Sequence, residues 1–91
     1  MNLTDVELKT VEALAELFYN PMQIALILDV DDDDFNSAIC AKSGSIYEHY
    51  TRGYYKGDLT LRKSISESAQ QGSSPAQTML LEIQKQCKIS Q

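Results

Sequence analysis

Three features of this chain predict an all-α fold. Apolar residues recur at three- and four-residue spacing, capping signals stand before each recurrence, and no stretch alternates with period two over the length of a strand. With 91 residues, a single domain over 1–91 is the default, with a modest core and marginal stability. A hydrophobic content of 43% and a charged content of 23% are ordinary for a globular chain and argue against disorder. Four Gly and two Pro leave room for long uninterrupted helices.

The elements follow in order as a small bundle of about five helices. Thr4-Asp5-Val6-Glu7 is a capping-box pattern, and Leu8, Val11, Leu14, Ala15 and Phe18 then recur on one face. The first helix is predicted from about Asp5 to Tyr19. Asn20-Pro21 stops it and starts the next, with Asn20 as cap and Pro21 at the first helical position. The second helix is short, about Pro21 to Leu28, and Asp29-Val30-Asp31 is a tight turn. A third begins near Asp32, carries Phe35, Ala38 and Ile39 inward, and ends at Lys42-Ser43-Gly44, with Gly44 as the left-handed stop. Ser45-Ile46-Tyr47-Glu48 reads as a second capping box opening a long helix over 46–71. Its stripe is Ile46, Tyr50, Gly53, Tyr54, Gly57, Leu61 and Ile65. Gly53 and Gly57 share a face where a second helix can approach closely; the alternative is a kinked or frayed helix. After the break at Gly72, a last helix over 75–88, capped by Ser74, carries Met79, Leu80, Ile83 and Cys87.

Residues 21–40 match the twenty-residue helix-turn-helix pattern. Ile24, Leu28, Val30, Phe35 and Ala38 fall at its buried positions, and Ala25 falls where only a small side chain lets the helices cross. The turn position that favours Gly is Asp29, and Asp tolerates the left-handed region better than most residues. The third helix is the one that such a motif sets into a DNA groove. Its outward residues are Asp31, Asp32, Asp33, Asn36, Ser37 and Cys40. That edge is acidic: residues 29–40 hold five carboxylates and no positive charge, equal to the formal net charge of −5 of the whole chain. Carboxylates at a helix start interact well with the helix dipole and can cap it. They repel phosphates. Basic residues lie mainly on the long helix, at Arg52, Lys56, Arg62 and Lys63, with Lys42 and His49 nearby, so this helix is the better electrostatic candidate for DNA.

Other chemistries find little support. There is no nucleophile motif, HExxH, Walker A or GxGxxG sequence, and His49 is the only histidine, so no enzyme is expected. Asp29–Asp34 fails as a calcium loop, because Asp34 stands where the loop needs Gly and Cys40 where it needs Glu. No metal or cofactor is expected. Cys40 and Cys87 form no CxxC pair and read as reduced thiols of a cytoplasmic protein. The N-terminus lacks the basic and apolar regions of a signal peptide, and the longest apolar run is far too short for a membrane span.

Tyr50-Thr51-Arg52-Gly53, then Gly57, Leu61-Arg62-Lys63, Gly72 and Met79, form an ordered set over roughly residues 20–86. In this order the chain resembles the helix-turn-helix domain of phage terminase small subunits and their prophage relatives. The resemblance implies recognition of double-stranded DNA for packaging, within a homo-oligomer and beside a terminase large subunit. The chain departs from the family at its acidic third helix and at Glu82, Gln84 and Lys88 of the last helix. The candidate DNA-binding residues are Asn36, Ser37, Lys42, Arg52, Lys56, Arg62 and Lys63. The alternative is a protein-interaction module on the same fold that has lost DNA contact, with its partner seated on the Gly53/Gly57 face and the tyrosines.

Overall fold

Thr4 starts the first helix by the predicted reciprocal cap. Its hydroxyl accepts from the Glu7 N–H at 3.2 Å, and the Glu7 carboxylate accepts from the Thr4 N–H at 2.9 Å. A computed structural model describes the backbone of residues 1–90 and the side chains through residue 87. Among the described residues there are five helices and no strand: α1 (Asp5–Glu16), α2 (Pro21–Leu28), α3 (Asp32–Cys40), α4 (Ser45–Gln70) and α5 (Ser74–Ser90).

Helix α1 ends earlier than its apolar spacing predicts. Phe18, expected on the inward face, takes a left-handed backbone (φ 67°) and is 45% exposed. Its N–H donates to the Ala15 carbonyl at 2.9 Å, and the Tyr19 N–H reaches back to Leu14 at 3.3 Å, which closes the helix end. The stop precedes Asn20-Pro21, where an extended Asn20 must cap the next helix. Asn20 does so reciprocally with Gln23, at 2.9 and 3.0 Å, a second capping box that the sequence reading overlooked.

Helix α2 also ends on a left-handed residue, Asp29 (φ 57°), and the Val30 N–H donates to Ala25 at 3.0 Å. Asp31 then caps α3, accepting from the Asp34 N–H at 2.9 Å. The stop after α3 falls on Lys42 (φ 56°), two residues before the predicted Gly44. Gly44 (φ 92°) instead stands just before α4, and its carbonyl takes the Glu48 N–H at 3.0 Å. The predicted Ser45/Glu48 capping box is therefore not the start of α4, because Ser45 is already its first helical residue. The same one-residue shift recurs at α5. Ser73, not Ser74, accepts from the Ala76 N–H at 3.4 Å. Gly72 (φ 96°) supplies the left-handed stop before it.

Contacts gather into two units, Met1–Asp58 and Leu59–Gln91. In the first, Val11, Ile24, Ala25 and Phe35 are completely buried, joined by Leu8, Ala15 and Ile46. Leu28, Val30, Ala38, Ile39 and Tyr50 pack partly buried against them. Helices α2 and α3 thus meet through the residues predicted to lie between them. The first half of α4 lies on α1 through its glycines. A Cβ on Gly53 would overlap the Glu12 carbonyl oxygen, and one on Gly57 would overlap that of Glu16. The two glycines are a close-approach surface, and the occupant is the chain's own α1. In the second unit, Ala69 and Ala76 are buried, and the Gln77 amide donates to the Ala69 carbonyl at 3.1 Å. Met79 and Cys87, expected inward, are exposed, whereas Leu80 and Ile83 are half-buried. Small alanines beside the turn carry the burial that the long apolar side chains were predicted to carry.

Two substitutions test this packing. Phe35→Ala is expected to cost about 3–5 kcal/mol, enough to threaten a domain of this size. Gly53→Ala gains about 1 kcal/mol of helix propensity, yet a net loss of about 1–3 kcal/mol is expected because backbone, not a flexible side chain, occupies the space. Urea denaturation of each variant, read by circular dichroism, measures both.

Candidate nucleic-acid interface

Burial of Ile24, Ala25 and Phe35 fixes which side of α3 faces outward. Asp32, Asp33, Asn36, Ser37 and Cys40 are all exposed, as their spacing predicts. Asp31 is occupied in capping, and Asp32, Asp33 and Asp34 fill the first turn, where the helix dipole favours them. The outer face of α3 therefore carries two neutral hydrogen-bonding side chains, Asn36 and Ser37, behind an acidic leading edge. Lys42 lies exposed at the left-handed turn that follows.

The cations of α4 are arranged differently from a free basic face. His49, Arg52 and Lys56 recur at i, i+3 and i+7, one stripe of a helix. All three converge on the carboxylate of Glu12 on α1. Lys56 Nζ lies 2.7 Å from Oε2, and Arg52 Nη1 and His49 Nδ1 each lie 3.3 Å from Oε1. Lys56 and Arg52 donate hydrogen bonds there. His49 Nδ1 is close enough for an ion pair when protonated, but this buried atom makes no hydrogen bond. The Glu12 side chain is 20% exposed, whereas Arg52 and Lys56 stay about half exposed, at 53% and 52%. The hydrogen bond from Lys56 holds the Glu12 carboxyl below the usual carboxylate value. Partial burial opposes it, and the charge of Lys56 and the contact with Arg52 add to it.

The close approach of α1 and α4 at Gly53 and Gly57 makes this geometry possible, since it brings the Glu12 side chain over the basic stripe. Glu12 was missed in the sequence reading. The signal was present: it falls four residues after Leu8, beside Val11, at the margin of the buried stripe of α1. Arg62 and Lys63 are exposed farther along α4, in the Leu59–Gln91 unit.

A third feature is aromatic. Tyr47, Tyr50, Thr51, Tyr54 and Tyr55 line a shallow concavity of about 280 Å³ on α4. Phe18 packs edge-on against Tyr54 at 5.6 Å, and Tyr54 against Tyr55 at 5.5 Å. Burial, with the neighbouring Tyr54, pushes the Tyr50 phenol above its ordinary value. Among the described residues, no group of three or more His, Cys, Asp or Glu is placed to hold a metal ion. No helix among them is long and apolar enough to cross a membrane. Comparison of the chain with protein-family models, curated proteins and solved structures returned no match.

The Glu12 cluster has a pH signature. A carboxyl whose folded value is depressed contributes stability that is present above its unfolded value, near 4.5, and is lost as pH falls through the folded value. Glu12→Gln is expected to remove that part of the acid sensitivity. The effect should stay below about 1 kcal/mol, because Arg52 and Lys56 are half exposed. Thermal melts of both proteins between neutral pH and pH 3 should converge at the acid end.

Proposed function

We propose that this chain is a helix-turn-helix protein of phage or prophage origin, similar to terminase small subunits, that recognises double-stranded DNA in genome packaging. The observation that carries the reading is the α2–α3 pair. It has complete burial of Ile24, Ala25 and Phe35, a left-handed Asp29 at the turn, and an outer α3 face left open at Asn36 and Ser37. Asn36 and Ser37 are the side chains for base edges, and Lys42, Arg52, Lys56, Arg62 and Lys63 are those for the phosphate backbone. A large terminase subunit and further copies of the chain are the partners that the family resemblance implies.

A second reading is favoured by charge and surface. Residues 1–58 hold four Lys and Arg against eleven Asp and Glu, a formal charge of −7. The same unit exposes Leu17, Phe18, Met22, Leu26, Ile27 and Tyr55. An acidic surface with this much exposed apolar area suits a protein partner better than a polyanion. In this reading the module keeps the helix-turn-helix fold without DNA contact. Its docking surface differs from the one expected, since α1 already covers Gly53 and Gly57.

Duplex DNA titrated at several salt concentrations separates the two. Four phosphate contacts, those of the α4 cations Arg52, Lys56, Arg62 and Lys63, give a slope of log affinity against log salt of roughly −3 to −4. The double variant Asp32→Asn with Asp33→Asn is expected to bind more tightly, most clearly at low salt, with only a modest loss of stability. Weaker binding by that variant would mean that another edge faces the duplex. Absence of binding at low salt selects the protein-interaction module.

A further inference from the structure

The Glu12 carboxylate leaves the cluster around it incompletely satisfied. Its Oε2 serves Lys56, and its Oε1 is within 3.3 Å of both Arg52 and His49. Only Arg52 and Lys56 gain hydrogen bonds from it, and His49 Nδ1 is left buried without an acceptor. A buried polar atom in that state costs free energy, so its persistence calls for an explanation. The Glu12 carboxylate, held from α1, is placed to accept from Arg52 and Lys56 but is not aligned to bond His49 Nδ1. A tetrahedral phosphate presents oxygens in more directions and accepts from more donors. Arg52 and Lys56 are also half exposed, so an anion arriving from solvent can reach both without moving either helix.

We propose that His49, Arg52 and Lys56 form a phosphate-binding site on α4, and that Glu12 is its intramolecular placeholder, displaced when a phosphate group enters. The assignment of that phosphate to the backbone of duplex DNA rests on the DNA-binding reading given above; the site itself does not. Glu12 reaches the stripe from a backbone held by the Gly53 and Gly57 contacts. Its side chain is 20% exposed, so the carboxylate has an open path toward solvent. On entry, Arg52 and Lys56 exchange carboxylate for phosphate oxygens, and His49 Nδ1 gains the acceptor it lacks. The placeholder has a second consequence. It offsets one of the two positive charges of Arg52 and Lys56 in the free protein, so an encounter with any polyanion is weaker than the number of lysines and arginines suggests.

The test compares wild type with Glu12→Gln, which keeps the shape of the side chain and removes its charge. Circular dichroism confirms that the variant is folded. Duplex affinity is measured across salt concentrations. Separately, the His49 ring-proton resonances are followed by NMR as inorganic phosphate is added; they are unambiguous because the chain has one histidine. Glu12→Gln is expected to bind duplex about fivefold more tightly at low salt, the worth of one unit charge removed at about 4 Å in water. Its salt slope should steepen by about one, the contribution of one more phosphate contact. Adding Arg52→Gln and Lys56→Gln to the variant should abolish both gains. If wild type binds duplex and Glu12→Gln binds it no better, the placeholder is overturned while the DNA reading stands. If neither binds duplex but inorganic phosphate moves the His49 resonances, more strongly in Glu12→Gln, the site is supported and the DNA reading is overturned. If neither ligand has an effect on either protein, both are overturned. Should Glu12→Gln fail to fold, the same His49 titration on wild type and on Arg52→Gln decides the matter: a phosphate shift lost in the variant supports the site, and no shift in wild type overturns it.

Discussion

The contact on which the Glu12 cluster depends is one of backbone against backbone. Gly53 and Gly57 stand one helical turn apart on α4, where any larger residue would overlap the carbonyl oxygens of Glu12 and Glu16 on α1. Each glycine costs α4 roughly 1 kcal/mol of intrinsic propensity. The close approach places the Glu12 side chain directly over His49, Arg52 and Lys56, on the helix whose Ile46 joins the core and whose Tyr50 packs against it. Helices whose axes were separated by ordinary side chains would hold Glu12 away from the basic stripe. The packing surface and the electrostatic site are therefore one feature seen from two sides.

Charge in this protein is organised by helix ends and by pairing. The acidic run at residues 31–34 is explained locally: Asp31 caps α3, and Asp32–Asp34 fill the first turn, where the partial positive charge of the helix start accommodates them. That local gain opposes contact between the same edge and nucleic acid. Arg52 and Lys56 are consumed in part by Glu12. Two independent arrangements thus weaken the attraction between the Met1–Asp58 unit and a polyanion.

Much of the architecture was legible because its signals are local. Thr4 with Glu7, Asn20 before Pro21, and the apolar positions of residues 21–40 each act within one or two turns, and α2 and α3 lie where those signals put them. Errors arose where two local signals competed. Ser45 and Glu48 satisfy a capping pattern, yet Gly44 supplies the carbonyl that starts α4, and Ser73 displaces Ser74 for the same reason one residue out. Phe18 kept the helical period but fell beyond the point where Asn20-Pro21 obliged the chain to turn. Gly53 and Gly57 announced a close approach without naming the partner. Glu12 could not be assigned at all, because its role depends on residues 37 to 44 positions away that only the fold brings near.

The helix stops at Phe18, Asp29 and Lys42 all use a left-handed backbone without glycine, whereas the one after α4 uses Gly72. For a side-chain-bearing residue this conformation is uphill by roughly 1–2 kcal/mol. An isolated peptide spanning any of the first three turns would seldom adopt it. Local backbone hydrogen bonds close each turn, and packing of the flanking helices must offset the remaining backbone cost. Folding of the Met1–Asp58 unit should accordingly be more cooperative than its short-range helical contacts suggest. Its helix boundaries and the burial of Ile24 and Phe35 therefore support one another.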